Sequence, residues 1–342
     1  MGAFICSISP RDWPIALKKG IYGNKLYKKG SKELLGDVQQ LSIIRDLISM
    51  KNDDLVFFHV IGEKTVHGIY QVSKEPFYDE TKIWDDEFES FPYRFQFKPH
   101  PDFRELCLND ACISVHSFYE IIDKGEIRSL VSLEFEQNIE RRSIRRLLSI
   151  DTKQIIKLLL RDFSRDKYRE KINFEYHQTT DFEPLNDKVY RVGSIENAIT
   201  AVIMYELSED TSNFKKIIGL KGKCDFANEF FVAPTTRKAI DIFTTWDTQT
   251  AIIECKSKKV DVFGLQQGLY YRDLIYQQNW YDKTNKIILI LVGSSFHKDV
   301  IKAVVHLNKI EQFEIKLIKY NPIENNKWGN FSDETPKYNW FG

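Results

Sequence analysis

The sequence is short of the residues that build disulfide-bonded secreted scaffolds or structural zinc sites. Its 342 residues include five cysteines, an odd number, with no Cys-x-x-Cys pair; they stand at positions 6, 107, 112, 224 and 255. Such spacing indicates reduced, mostly buried thiols in a cytosol-like compartment. No apolar run reaches the length of a membrane span, and residues 1–10 lack a basic region followed by a long apolar one. We therefore expect a cytoplasmic protein with no membrane association.

An excess of charge of either sign is also missing. Lys and Arg together number 49, as do Asp and Glu, so the chain carries no global basic field. Any binding of nucleic acid must therefore come from local patches. The hydrophobic content of 42% and charged content of 29% are typical of a globular protein. The length predicts two domains, each large enough for its own core.

The most informative stretch is a predicted β-hairpin in the second half of the chain. Residues 239–245 and 250–255 have strand character and flank the turn-like sequence WDTQ at 246–249. If Asp247-Thr248 forms a two-residue turn, opposed residues have numbers that sum to 495. Asp241 then faces Glu254, with Cβ atoms roughly 4.5–5.5 Å apart. Alternation along the second strand places Lys256 on the same face as Glu254.

Two carboxylates and an ammonium that emerge together from an apolar hairpin are costly without a purpose. Asp241 and Glu254, with the Cys255 carbonyl as a further ligand, can hold Mg²⁺, with Mn²⁺ as the alternative ion. A bound cation of this kind lowers the pKa of a water ligand and stabilises charge on a scissile phosphate. Lys256 can position the attacking water or neutralise the phosphate. The set therefore favours metal-assisted phosphodiester hydrolysis.

This pattern, Asp241 followed after twelve residues by Glu254-Cys255-Lys256, resembles the PD-(D/E)xK nuclease superfamily. Two other Glu-x-Lys triplets begin at Glu80 and Glu314, but the first lies in a polar loop and no hairpin carries an Asp beside the second. The resemblance spans about residues 192–320. It implies a restriction-endonuclease-like α/β/α fold with a central mixed sheet over residues 188–342.

The segment that follows the hairpin adds to the resemblance. Residues 260–275 predict a helix that places Gln267 and Tyr271 on one face. This arrangement is similar to NucS-type (mismatch endonuclease) and RecB-like nucleases, in which such a helix lies behind the catalytic strand. Upstream, Ser194 is a predicted cap for a helix over residues 195–207 whose Glu196 matches the acidic residue of the family's first helix.

Plainer interpretations exist for each of these residues. Asp241, Glu254 and Lys256 could form a cross-strand salt bridge on a surface hairpin. Gln267 and Tyr271 could be ordinary residues of a helix face. A glutamate in a first helical turn favours the helix dipole without any catalysis. The alternatives to Glu196 for the acidic role are Glu206 and Glu229.

The first half of the chain predicts a different, β-rich domain. Strands are expected over residues 3–8, 55–60, 67–72 and 93–98, with a helix opening at Trp13-Pro14. The order of the pieces resembles an EVE domain of the PUA-like superfamily, a relative of the YTH readers. The segments that carry this resemblance are Trp13, residues 20–23, residues 54–58, residues 68–70, Trp84 and residues 92–94. The resemblance covers residues 1–165, implies a PUA-like β-barrel with helices, and leaves residues 166–187 as a linker.

The EVE resemblance implies a pocket that reads a flipped or modified base. Flat aromatic walls and a few hydrogen-bonding groups are what such a pocket needs. Our candidates are Tyr22, Trp84 and Phe97 for the walls, and Ser7 or Ser9 for polar contacts. The family often has Trp where this chain has Tyr22. The alternative is that these rings belong to the core, since 13% of the chain is aromatic.

The basic cluster at residues 140–146 has two interpretations. It could be a face that contacts phosphates or the solvated surface of a helix.

Together, the two halves predict an α/β and α+β protein that acts as a modification-dependent restriction endonuclease. The partner would be DNA that carries a modified base. One active site cuts one strand, so a double-strand break would need a homodimer or two binding events. The alternatives are a NucS-type endonuclease for mismatched or branched DNA, and a non-enzymatic reader of nucleic acid.

Overall fold

The computed structural model describes residues 1–28, 31–84, 90–130, 143–163, 171–180, 182–185, 196–233, 238–310, 314–321 and 330–336. The chain divides into two compact units, Met1–Lys188 and Val189–Gly342. Each unit has its own sheet, so the protein is a mixed α/β chain of two units. None of the helices within the described ranges is both long and apolar enough to cross a membrane.

The first unit is built on one eight-stranded sheet. Its strands are β1 (Ala3–Ile8), β2 (Ile21–Asn24), β3 (Leu55–Val60), β4 (Thr65–Tyr78), β5 (Tyr93–Pro99), β6 (Cys112–Ser114), β7 (Ile144–Leu147) and β8 (Glu183–Pro184). The main path of paired strands is β2-β5-β4-β3-β1-β7, and both β6 and β8 pair with β4. Strands β1 and β3 run parallel, while the other pairs are antiparallel.

The closed β-barrel predicted for this unit does not form among the described strands. β2 and β7 are the two ends of the strand path and are not paired with each other in the described part of the chain. The side-chain hydroxyl of Tyr22 in β2 instead donates to the backbone carbonyls of Ser7 and Ser143, next to β1 and β7. The alternation of apolar residues therefore predicts the strands of this unit, but it does not predict whether the sheet closes into a barrel.

Helices complete the first unit. They are α1 (Trp13–Lys19), α2 (Asp37–Leu47), α3 (Arg104–Leu108), α4 (His116–Asp123) and α5 (Ser149–Phe163). The first ends at Gly20, whose φ of 61° is the left-handed conformation that favours glycine. The main apolar cluster lies between the sheet and the later helices, with Phe57, Ile69, Phe118 and Ile155 at its centre.

The segment predicted as a linker packs against the first unit in its described part. Backbone N–H groups of Ile172, Glu175 and His177 donate to carbonyls of Leu108, Lys18 and Lys19. The strand β8 then pairs with β4. The described part of this predicted linker is therefore bonded to α1, α3 and β4 of the first unit.

The basic cluster near residue 145 is neither a helix surface nor a phosphate-contacting face in its described part. Ile144–Leu147 forms β7, and both Arg145 and Arg146 are buried. The guanidinium of Arg146 donates to the Ser49 carbonyl and lies 5.0 Å from the centre of the Phe4 ring. Residues 140–142 lie outside the described residues. Arg146 bonds the segment that follows α2, and the buried side chains of both arginines are turned away from a polyanion in solution.

The second unit contains a six-stranded mixed sheet. Its order is β16-β15-β13-β11-β10-β9, formed by β9 (Asp225–Ala233), β10 (Lys238–Trp246), β11 (Gln249–Cys255), β13 (Lys286–Gly293), β15 (Glu314–Asn321) and β16 (Asn330–Asp333). The pairs β11/β13 and β13/β15 are parallel. The central β13 reads KIILILVG, the uninterrupted apolar run expected of a strand covered on both faces. A short ribbon, β12 (Lys259–Val260) with β14 (Ser295–Phe296), completes the strands.

Helices cover both faces of this sheet. They are α6 (Glu196–Ser208), α7 (Asn213–Ile218), α8 (Val262–Gln277) and α9 (Lys298–Leu307). Gly268 of α8 lies against Leu289, which shares a face with Ile252 and Glu254 because paired residues of neighbouring strands point the same way. Thr200 of α6 lies near the thiol of Cys255, which points to the opposite face. The predicted mixed sheet with flanking helices is therefore present.

Gly268 gives a direct test of how α8 is seated on the sheet. A Cβ atom at this position would lie 2.6 Å from Cδ1 of the buried Leu289. We expect Gly268→Ala to lower the free energy of unfolding by about 1–2 kcal/mol, although alanine favours helix over glycine, because overpacking outweighs that preference. Leu289→Ala alone should cost about 2–5 kcal/mol.

The double variant tests whether the two effects share one cause. The methyl group of Gly268→Ala would occupy part of the space vacated in Leu289→Ala, so the combined loss should be smaller than the sum. Denaturant unfolding of the four proteins measures this coupling. Strict additivity would contradict the packing described here.

Candidate active site

The site is set by the register of the β10–β11 hairpin. Ile242 pairs with Ile253, and the pairing continues to Trp246 and Gln249 at the turn, so opposed residue numbers sum to 495 as predicted. Asp247 adopts a φ of 46°, which the two-residue turns of hairpins require. The next pair in this register is Asp241 with Glu254. The turn therefore fixes which two acids face each other.

Asp241, Glu254 and Lys256 converge at one end of this hairpin. The backbone N–H of Asp241 donates to Oε1 of Glu254 at 3.4 Å, and Oδ2 of Asp241 accepts from the backbone N–H of Cys255 at 2.7 Å. The Nζ atom of Lys256 lies 3.7 Å from Oε2 of Glu254. The predicted trio is thus within contact distance.

Glu254 is the unusual member of this group. It is 1% exposed, and its buried Oε2 atom accepts no hydrogen bond from the residues that the structure describes. Burial raises the pKa of Glu254, the nearby negative charge of Asp241 raises it further, and Lys256 only partly offsets both effects. A buried carboxylate oxygen with no donor is a strong acceptor with unused capacity.

The ammonium of Lys256 lies beside both acids of this group. Burial opposes the charged form of Lys256, but the negative charges of Asp241 and Glu254 outweigh it and raise the lysine's pKa. Lys256 therefore stays protonated at neutral pH. With both acids ionised, the group would carry more negative charge than Lys256 offsets, and a bound cation would supply the balance.

The donor set fits Mg²⁺ or Mn²⁺. Across the described residues, no three His, Cys, Asp or Glu side chains come together as a metal-binding group. Mg²⁺ is commonly held by one or two carboxylates together with waters and substrate phosphates, so Asp241 and Glu254 meet its requirements. The thiol of Cys255 is buried on the opposite face of the strand, so only its backbone carbonyl could add a ligand from this residue.

Helix α8 lines the site next to the lysine. Asp261 caps the helix by accepting from the Gly264 N–H at 3.0 Å, and a Cβ at Gly264 would lie 3.7 Å from Cε of Lys256. Further along, Nε2 of Gln267 donates to the hydroxyl oxygen of Tyr271 at 3.1 Å. Burial raises the pKa of Tyr271, and the charges of Glu254 and Asp241 act in the same direction. The hydroxyl of Tyr271, which Gln267 holds, is therefore within electrostatic range of both carboxylates.

The remaining acids have different surroundings. Glu196 is the half-buried first residue of α6. Its negative charge makes a small contribution to the raised pKa of Glu254. Ser194, its predicted cap, lies outside the described residues. Glu206 accepts from the backbone N–H of Phe214, which gives it a structural task. Glu229 is half-buried in β9 with a φ of 46°. Of these three acids, Glu196 is the one whose charge affects the pKa of Glu254.

The second Glu-x-Lys triplet provides an internal contrast. Oε2 of Glu314 lies 2.5 Å from Nζ of Lys286, and Oε1 lies 3.8 Å from Nζ of Lys316. The ammonium of Lys316 also donates to the Ile217 carbonyl. This glutamate has two cationic neighbours, whereas Glu254 has one and a second acid beside it.

The rings proposed for a base pocket are packed inside the first unit. Tyr22, Trp84 and Phe97 are all buried. Phe97 contacts Phe58 at a centroid distance of 4.6 Å, and Trp84 contacts Phe91 at 5.2 Å. The half-buried Ser7 meets Tyr22 through its backbone carbonyl. In this arrangement the ring faces are occupied by protein side chains, and a base could stack on them only after those side chains move.

The sequence pattern did not single out Phe263, the residue immediately before Gly264. Its side chain is 78% exposed at the start of α8. The sequence feature that could have identified Phe263 is its position one helical turn before Gln267 and shortly after the lysine-rich residues 256–259.

The raised pKa of Glu254 predicts how Glu254→Gln changes stability with pH in the absence of divalent cations. Below the ordinary glutamate pKa of about 4.3, both states are protonated and there is no penalty. As pH rises toward the raised folded pKa, the unfolded state ionises first and the wild type loses stability. Gln does not titrate, so Glu254→Gln should become the more stable protein by roughly 1–3 kcal/mol at pH 8.

Thermal and denaturant unfolding in EDTA at pH 4.5 and pH 8 measure this difference. Glu314→Gln serves as the control and should show no such growth with pH. A stability difference between the wild type and Glu254→Gln that stays constant from pH 4.5 to pH 8 would contradict the assigned environment.

The chain has few detectable similarities to known proteins. No protein-family model matches the chain, and no curated protein matches it. Among solved structures, the chain is similar to human THYN1 protein, whose structure was determined in complex with 5-methylcytosine containing DNA. That alignment covers 46% of this chain and 98% of the THYN1 chain, at 14% sequence identity and a TM-score of 0.29. A likeness of this strength carries no argument about fold or function, so the functional conclusion depends on the site itself.

Proposed function

We propose that this protein is a metal-dependent endonuclease that hydrolyses phosphodiester bonds in DNA. The observation that carries the proposal is the buried Glu254 side chain beside Asp241, whose Oε2 atom accepts no hydrogen bond within the described ranges and lies 3.7 Å from the Lys256 ammonium. A salt bridge built for stability would pair its charges and satisfy its oxygens. Two neighbouring buried acids that could ionise together only with added positive charge favour cation binding.

In this proposal, Asp241 and Glu254 hold one Mg²⁺ or Mn²⁺. When bound, such a cation lowers the pKa of a coordinated water and stabilises charge on the phosphate. Lys256 remains protonated and lies 3.7 Å from Glu254, where its ammonium can neutralise a phosphate oxygen and orient the attacking water. Gln267 and Tyr271 hold each other through a hydrogen bond and align the groups around the substrate. Glu196 adds negative charge from outside the immediate site.

We assign selection of the DNA to the first unit. The support is the resemblance of residues 1–165 to EVE domains, which implies recognition of a modified base. No ring of that unit is assigned to the base here, because Tyr22, Trp84 and Phe97 are packed in the core. The combined activity is that of a modification-dependent restriction endonuclease, with two chains acting together for a double-strand break.

An endonuclease for mismatched or branched DNA is the second candidate. The bonded pair Gln267 and Tyr271 beside a Glu-x-Lys strand is the feature that resembles NucS-type enzymes. A non-enzymatic reader of nucleic acid is the third candidate. The buried Glu254 argues against it, because burying an acid whose Oε2 accepts no hydrogen bond within the described ranges costs stability that a scaffold would not need to lose.

Matched glutamate variants test the nuclease assignment. Glu254→Gln removes a proposed cation ligand and should reduce the rate of cutting by about 10³-fold or more. Glu314→Gln changes the other strand-borne Glu-x-Lys triplet and should leave the rate within about twofold. Nicking of supercoiled plasmid in Mg²⁺ measures both. Equal activity in the two variants would place the chemistry elsewhere.

Matched plasmids test substrate choice. We expect plasmid carrying methylated or hydroxymethylated cytosine to be cut at least about tenfold faster than the unmodified plasmid, since a base-reading unit adds binding energy only for its own base. Preferential cutting of unmodified mismatched duplexes would support the repair enzyme instead. Equal rates on all three substrates would remove the claim of modification dependence.

A further inference from the structure

The first turn of α8 presents an aromatic ring to solvent. At 78% exposure, Phe263 is the most exposed of the large hydrophobic side chains in the described part of the chain. Val262 beside it and Tyr270 two turns later are also exposed. A phenylalanine normally contributes to stability by burial. Several exposed apolar side chains on one helix form a patch, and such a patch indicates a contact surface.

The ring lies beside the candidate active site. Gly264, the next residue, approaches Cε of Lys256 and Cγ1 of Val260, so the start of α8 packs on the lysine of the site. Phe263 and Gln267 are four residues apart and share one helix face, about 6 Å apart along the axis. Gln267 in turn donates a hydrogen bond to the hydroxyl of Tyr271. The exposed ring therefore continues the face that borders the proposed cation ligands.

The surroundings of the ring are cationic and hydroxylated. The loop before α8 reads Lys256-Ser257-Lys258-Lys259, and the last two lysines are exposed. Lys259 belongs to the ribbon with Ser295, which is also exposed and follows the exposed Ser294. This ribbon lies where the parallel strands β11 and β13 end, the same edge that carries Glu254. Lysines and serines suit phosphate oxygens, whereas a partner of apolar protein surface would leave these ammonium groups unpaired.

We propose that Phe263 stacks against a base next to the phosphate that is cut, while Lys258 and Lys259 hold the backbone of that strand. Every base has a π face, so an aromatic contact of this kind is tolerant of sequence and places the strand without reading it. Moving a base toward Phe263 also opens the backbone at the scissile phosphate, where Lys256 and the carboxylates must reach it. This inference rests on the proposed nuclease function and adds the residues that position its substrate.

The test uses the full-length protein and a 40-base-pair duplex that carries 2-aminopurine on either side of the mapped cut position. Ca²⁺ replaces Mg²⁺ so that DNA is bound without rapid cutting. We expect binding of wild type to raise 2-aminopurine fluorescence as the base leaves its neighbours. Phe263→Ala should lose this rise and bind at least about fivefold more weakly, and Phe263→Trp should restore both.

Tyr276→Ala is the matched control. Tyr276 is an exposed aromatic on the same helix, about 20 Å further along, and its loss should change neither fluorescence nor affinity. Because both rings are exposed, both alanine variants should melt within about 2 °C of wild type. An equal loss in the two variants would overturn the proposal, as would a Phe263→Ala protein that raises fluorescence like wild type. A change in oligomeric mass on Phe263→Ala, with DNA binding intact, would also overturn it and identify a surface for a second copy.

The outcomes also separate this inference from the nuclease proposal. Cutting that is unaffected by Phe263→Ala would overturn the stacking role and leave the nuclease standing. Duplex affinity that falls at least about fivefold in Phe263→Ala but not in Tyr276→Ala, in a protein that cuts no DNA in Mg²⁺ or Mn²⁺, would support the contact and contradict the nuclease.

Discussion

The second unit depends on one electrostatic constraint: a buried glutamate that faces another acid across a two-residue hairpin. Glu254 lies in an apolar sheet, and its Oε2 atom accepts no hydrogen bond from the described part of the chain. The negative charge of Asp241 makes ionisation of Glu254 more costly still. Desolvation of a carboxylate costs several kcal/mol unless charge and hydrogen bonds compensate it. The neighbouring helix α8, the lysine and the strand register all serve to keep this group in place.

A second buried charge in the protein shows what a structural ion pair looks like. Arg94 is fully buried in the first unit, and its guanidinium donates to Oδ2 of Asp79 at 2.8 Å. Its remaining donors reach the carbonyls of Phe91, Ser90 and Thr81. That pair is neutral overall and bonded on every side, as stability requires. Glu254 has neither property, and the contrast is the reason to interpret it as a binding site.

The hairpin and its neighbours could be predicted from sequence because local rules decide them. A two-residue turn at Asp247-Thr248 leaves a single register, and that register alone brings Asp241 to Glu254. The apolar run of β13 and the capped start of α8 follow equally local patterns. The open oxygen of Glu254 could not be predicted, because it depends on how helices from distant parts of the chain close over the strand.

The first unit shows where such rules end. Tyr22 and Phe97 alternate in strands as a pocket wall would, but their ring faces are covered by Phe58 and Phe95, which only the paired sheet brings near. Arg145 and Arg146 form part of a basic run and are nevertheless buried. Composition describes what a side chain prefers on average, whereas long-range packing decides where it goes.

The central claim is that Asp241 and Glu254 share a cation. A crystal structure of the protein grown with Mn²⁺, with anomalous scattering measured at the manganese edge, tests it most directly. The account predicts one anomalous peak within about 2.0–2.6 Å of an oxygen from each carboxylate, with Lys256 beside it. A peak elsewhere, or millimolar Mn²⁺ with no peak between these two acids, would contradict it.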